Sequence, residues 1–139
     1  MIQAQVTAAS MACARITVLH LPELHDSVER ACGLRGRSQW ARKAAAHAEI
    51  FSLLADMVDD PLLSPLLTGW TAHVREVMLA IGWVADGMTV SSRRRLLAYL
   101  RAGDGDAAAL EMERHLRSLL YIRRLTRPSS QVIAGEAPL

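Results

Sequence analysis

Nowhere along this chain do apolar and polar residues alternate over the length of a strand, whereas Ala, Leu, Met, Glu and Arg recur three and four residues apart nearly throughout. That period belongs to amphipathic helices, and those residue types lose little freedom on becoming helical, so the expected class is all-α, an antiparallel bundle of six to seven helices. The pattern predicts helices over 3–15, 21–34, 38–58, 61–67, 70–84, 89–102 and 105–125. Leu21-Pro22 can start a helix, Gly33 to Ser38 end one, and Asp59-Asp60-Pro61 separate two more. Pro65 and Gly69 are expected to interrupt the next pair, and Gly87 to precede a helix capped by Thr89 or Ser91. The stretch RAGDGD at 101–106 joins a glycine stop to an aspartate cap, which makes a tight helical hairpin.

Residues 1–126 are read as one domain, large enough to bury a core without a disulfide or a structural metal. The tail 127–139 has two prolines, a glycine and no periodicity, and is expected to be poorly ordered or to lie on the surface. Cys13 and Cys32 match no metal or redox spacing and are read as reduced cytosolic thiols. No apolar run approaches the ~18 residues of a membrane span, and the start lacks the basic and apolar segments of a secretion signal. A cytoplasmic protein without a membrane partner is expected. The net charge is only +2, and apart from Arg93-Arg94-Arg95 the arginines are scattered among acids. That pattern argues against DNA binding by this chain alone.

Three groups that can carry charge fall on apolar stripes. His47 lies with Lys43, Ile50, Phe51, Leu54 and Met57; Arg93 with Val90, Leu96, Leu97 and Leu100; His115 with Ala108, Met112, Leu116 and Leu119. Arg93 lies eleven residues before Asp104 and His115 eleven after it, so an antiparallel pair brings them level, about 16 Å from the turn. Arg75 stands about as far beyond the Asp60 turn as His47 stands before it. An interior holding His47, Arg93, His115 and Arg75 is costly unless an anion, a metal, water or internal pairing satisfies them. For Arg93 the internal alternatives are a snorkelled side chain or a pair with a glutamate such as Glu111. For either histidine alone the alternative is a hydrogen-bonded core residue, and Trp70, Trp83 and Phe51 read as packing. No nucleophile–base pair or carboxylate dyad lies at a workable spacing, which disfavours an enzyme.

The stretch HAEIFSLLADMVDDPLL at 47–63 resembles the D-x-x-F-H helix followed by N-P-L-L of the FCD domain, the C-terminal ligand-binding domain in the FadR branch of GntR transcription regulators. The stretch RRRLLAYLRAGD at 93–104, continuing to EMERHL at 111–116, resembles that family's H-x-x-I-L-x-A-I-x-x-G-D and M-x-x-H-L. MACARIT at 11–17 is similar to its first helix, so the resemblance covers about 3–125. It implies an effector-binding homodimer that senses a small carboxylate, commonly beside a divalent metal such as zinc or nickel. It also implies that DNA is read through a winged helix-turn-helix domain preceding this one, which the chain as given lacks. The alternative is a dimerisation module with a vestigial pocket.

The resemblance places four metal-ligand positions at His47, Phe51, Arg93 and His115, of which only His115 keeps the family's residue. Any metal would rest on His47 and His115, too few ligands beside a fixed cation for tight binding. The expected ligand-binding set is therefore Arg93, His115, His47, Phe51 and Arg75. In it Arg93 supplies the charge that a metal supplies elsewhere, His47 and His115 donate hydrogen bonds to the anion, and Phe51 closes the wall.

Overall fold

The computed structural model describes residues 2–126 and is all-α. Six helices, α1 (Ile2–Ala14), α2 (Leu21–Gly33), α3 (Trp40–Val58), α4 (Leu63–Ile81), α5 (Ala85–Arg101) and α6 (Gly105–Leu125), are joined by short turns, with 3-10 turns at Val18–His20 and Arg37–Gln39. The predicted tail at 127–139 lies outside the described residues. Among them, no helix is long and apolar enough to cross a membrane.

Two hairpins organise the bundle. α3 ends at Asp59, held in the left-handed region (φ 48°), and the Asp60 carboxylate then accepts the backbone N–H groups of Leu62 (2.7 Å) and Leu63 (3.0 Å). Those groups would otherwise be unsatisfied at the start of α4. Arg15 clamps the same carboxylate at 2.8 Å, which ties the end of α1 to this turn. The second hairpin turns at Gly103 (φ 72°), a backbone conformation that glycine adopts without strain, and Asp104 caps α6 by accepting from the Ala107 N–H at 3.0 Å. The glycine stop and aspartate cap expected from the sequence are therefore present.

Helix α1 packs across α6, and also against α4 and α3, through a face of small residues that includes Ala8, Ala9, Ala12 and Cys13. The last residue of α1 approaches α6 closely at Gly105, where a Cβ would lie 3.0 Å from the Ala14 carbonyl oxygen. Helix α2 lies over α3 and α5. The core between these helices is filled by Phe51, Leu54, Leu67, Trp70, Met78, Leu96, Met112 and Leu116.

Two expected breaks are absent. Segments 61–67 and 70–84 form the single helix α4, because Pro65 falls in its first turn, where a backbone N–H has no intrahelical acceptor to lose. Gly69 continues the helix, and the space beside it is open. α5 begins at Ala85 rather than 89, with Gly87 inside its first turn. Thr89 is consequently no cap: it is fully buried, and its hydroxyl donates to the Ala85 carbonyl at 2.8 Å.

Candidate functional site

Three helices bring their polar stripes to one place in the interior. α3 supplies Lys43, His47 and Phe51 at successive i, i+4 positions, α5 supplies Asp86, Thr89 and Arg93, and α6 supplies His115. Arg93 is at the centre and only 1% exposed. Its Nη1 lies 3.4 Å from Nδ1 of His115, and its guanidinium carbon sits 5.7 Å from the centre of the Phe51 ring. The negative face of an aromatic ring offers a cation some compensation, but less than a carboxylate does.

Among the described residues no carboxylate pairs with Arg93. Glu111, the expected internal partner, is instead held by Ser92 at 2.8 Å and by Nε and Nη2 of Arg95 at 2.9 and 3.2 Å. The buried Nε and Nη2 atoms of Arg93 have no hydrogen-bond partner. These two atoms form one edge of the guanidinium, whose N–H bonds run nearly parallel, the geometry that matches both oxygens of a carboxylate.

The directions of the hydrogen bonds follow from the donors. A guanidinium can only donate, so His115 accepts at Nδ1 and its Nε2–H donates to Oγ1 of Thr89, 3.0 Å away. Thr89 passes its own proton to the Ala85 carbonyl, which completes a chain with one direction. The Asp86 carboxylate binds Nζ of Lys43 at 2.9 Å and Nε2 of His47 at 3.2 Å. Neutral His47 therefore carries its proton on Nε2, and its buried Nδ1 is a bare acceptor without a partner.

Burial, followed by the nearby charge of Arg93, pushes the His47 pKa down to about 4. The same two causes hold His115 well below the usual imidazole value. Burial lowers Arg93 to about 10, so it keeps its proton at neutral pH. It also raises the Cys13 thiol to about 12, which leaves that cysteine protonated and unreactive. With Lys43 and Asp86 cancelling, the site holds one uncompensated positive charge.

The expectation that both histidines donate to an anion is corrected by this wiring, since each ring presents an acceptor to the interior or spends its proton within the protein. Arg75 is not brought to the cluster. It is exposed on the outer face of α4, in a groove with Arg30 and Arg42, because the unbroken α4 turns Val74, Val77 and Met78 inward instead. His47, Phe51, Arg93 and His115 do converge. Sequence reasoning missed Asp86, which it placed ahead of a helix, and it gave Lys43 no role, although the spacing of Lys43 to His47 and its standing as the chain's one lysine were visible.

Set against a divalent cation, this donor set does not fit. The His47 Nε2 and both His115 nitrogens are already engaged, which leaves Nδ1 of His47 as a single ligand; Phe51 offers none, and the guanidinium of Arg93 would repel the metal. Beside Arg93 and His47 runs a narrow gap closed by Ser27, Val28 and Ala31 of α2 and by Ala46 and Ile50 of α3, too tight for a water molecule.

In comparisons with known proteins, the family model described as the FCD domain matches residues 5–118. No curated protein and no solved structure matches the chain.

Proposed function

Because this chain belongs to the FCD domain family, we propose that it is the effector-binding and dimerisation domain of a GntR-type transcription regulator of the FadR branch, and that it senses a small organic acid inside the bundle. The observation that carries this reading is Arg93, a fully buried cation with two unpartnered N–H donors on one edge. An isolated buried charge is among the most costly features a core can contain, and a bound carboxylate removes that cost with two charge-assisted hydrogen bonds. Arg93 thus does the work assigned to a metal in relatives, and the site needs no cofactor.

Acid recognition here implies movement. The gap beside Arg93 is too tight for water, so a ligand enters only when α2 shifts away from α3 and α5. A ligand that favours one helix arrangement over another is the physical requirement for signalling. In such regulators a separate winged helix-turn-helix domain reads DNA, and this domain's part would be to set the geometry of two such heads. The tightness of the same gap also favours a second reading, a dimerisation module whose pocket has closed for good. We read neither version as an enzyme: His115 donates its proton to Thr89 and so cannot act as a base on that hydroxyl.

Calorimetry with a panel of small organic acids tests the proposal. Binding is expected, and chelator is expected to leave it unchanged; loss of binding on chelation would overturn the arginine-for-metal reading, and no binding by any acid would favour the closed module. A symmetric homodimer is the second expectation, since Val18, Leu19, Leu62 and Val84 are apolar side chains exposed on the single chain. Light scattering at micromolar concentration should give twice the 15.2 kDa chain mass, and a monomer alone would refute the dimer.

A further inference from the structure

Resting on the reading of this domain as an acid sensor, we propose that its ligand carries a hydroxyl beside the carboxylate. The carboxylate lies on the Nε–Nη2 edge of Arg93, and the hydroxyl donates to Nδ1 of His47.

A carboxylate by itself cannot complete this site. It brings only acceptors, and it satisfies the two free donors of Arg93, but His47, which lines the same narrow gap, carries an unpartnered buried atom that is itself an acceptor. Nδ1 of His47 is an acceptor because Nε2 must hold the ring proton to meet the Asp86 carboxylate at 3.2 Å. Asp86 is in turn fixed by Lys43 at 2.9 Å, so the ring cannot turn over without breaking a buried ion-paired cluster. A carboxylate oxygen placed against that lone pair is repelled. A donor placed there is bound.

The donor's charge is also constrained. With Lys43 neutralised by Asp86, an ammonium group at this point would still stand near the uncompensated guanidinium of Arg93, in a site nearly closed to water, where like charges repel strongly. A neutral O–H avoids that repulsion and supplies the missing proton. The two polar features of the ligand are thereby assigned to two different helices, the carboxylate to α5 and the hydroxyl to α3, with the small face of α2 over both. A hydroxy acid is selected over the unsubstituted acid by the hydroxyl's hydrogen bond, and over the amino acid by charge.

The test compares butanoate, 2- and 3-hydroxybutanoate, 2-methoxybutanoate and 2-aminobutanoate by calorimetry on the full chain. The better of the two hydroxy acids should bind about tenfold more tightly than butanoate, the scale of one net hydrogen bond, and the methyl ether and the amino acid should bind no better than butanoate. In His47→Phe that advantage should vanish, the hydroxy acids binding no better than butanoate does to the same variant. If the acids bind equally in the parent protein, the hydroxyl assignment fails and acid sensing stands; if none binds, acid sensing itself fails and the assignment with it. Imidazole ¹⁵N NMR supplies a readout independent of whether His47→Phe folds. His47 should show a protonated Nε2 and a bare Nδ1 that shifts on binding a hydroxy acid, and a protonated Nδ1 in the free or bound protein would overturn the assignment.

Discussion

Arg93→Met is expected to make the ligand-free protein more stable while weakening its hold on acids about 30- to 150-fold. The loss of affinity follows from removing both parallel N–H donors, worth about 2–3 kcal/mol as a charge-assisted pair. The gain in stability follows from the same atoms in the absence of ligand. Arg93 is 1% exposed, has no carboxylate partner among the described residues and keeps Nε and Nη2 unpaired, whereas a methionine of similar reach fills the space without a charge to desolvate. Replacing poorly compensated buried charges by apolar residues commonly stabilises by about 1–4 kcal/mol. Here the His115 Nδ1 loses its donor, so the lower half of that range applies, a rise of about 5 °C in the thermal midpoint.

Arg93→Ala separates charge from volume. It should lose acid binding to the same degree, yet fall in stability, because it leaves a cavity against Phe51. Calorimetric scans and titrations of the three proteins read both effects. A lower midpoint for Arg93→Met would mean that the guanidinium is already satisfied within the protein, and the acid-sensing proposal would lose its main support.

Acid should unfold the domain well before its carboxylates are all protonated. His47 has a pKa of about 4 in the folded protein against an ordinary 6.5, and His115 is shifted in the same direction. Both are bases whose pKa is lowered by folding, so the unfolded chain takes up protons first. Their contribution is full above about pH 6.5 and is lost progressively as the pH falls toward and through 4. His47 alone accounts for about 3 kcal/mol by pH 4, and His115 adds to it. Glu111, held below its usual value by Arg95 and Ser92 despite burial, extends the loss further into acid. Urea midpoints measured at intervals from pH 7 to 4 should decline steadily in the parent, and the decline should be shallower in His47→Phe. An unchanged midpoint across that range would show that neither histidine is buried in its neutral form.

The sequence by itself determined the helical class, the Gly103-Asp104 hairpin and the meeting of Arg93 with His115. Each depends on local facts: residue spacing places a side chain on a face, and equal counts from a tight turn bring two positions level. The FCD resemblance was legible for the same reason, because its motifs are runs along single helices. Local patterns failed where a residue's meaning depended on its place within a helix. Pro65 reads as a break until it is known to stand in a first turn, and Gly87 hid Asp86 by suggesting that α5 began later. The register of α4 sends Arg75 outward, a consequence of one helix where two were expected. The partners of the buried polar atoms were beyond any pattern. Glu111 pairs with Arg95 rather than Arg93, and Asp86 fixes the proton of His47, because those choices are made by side chains from different helices competing for the same few donors and acceptors within a packed interior. Only the tertiary structure sets those distances, and with them the unpaired edge of Arg93 on which the function of this domain is argued to rest.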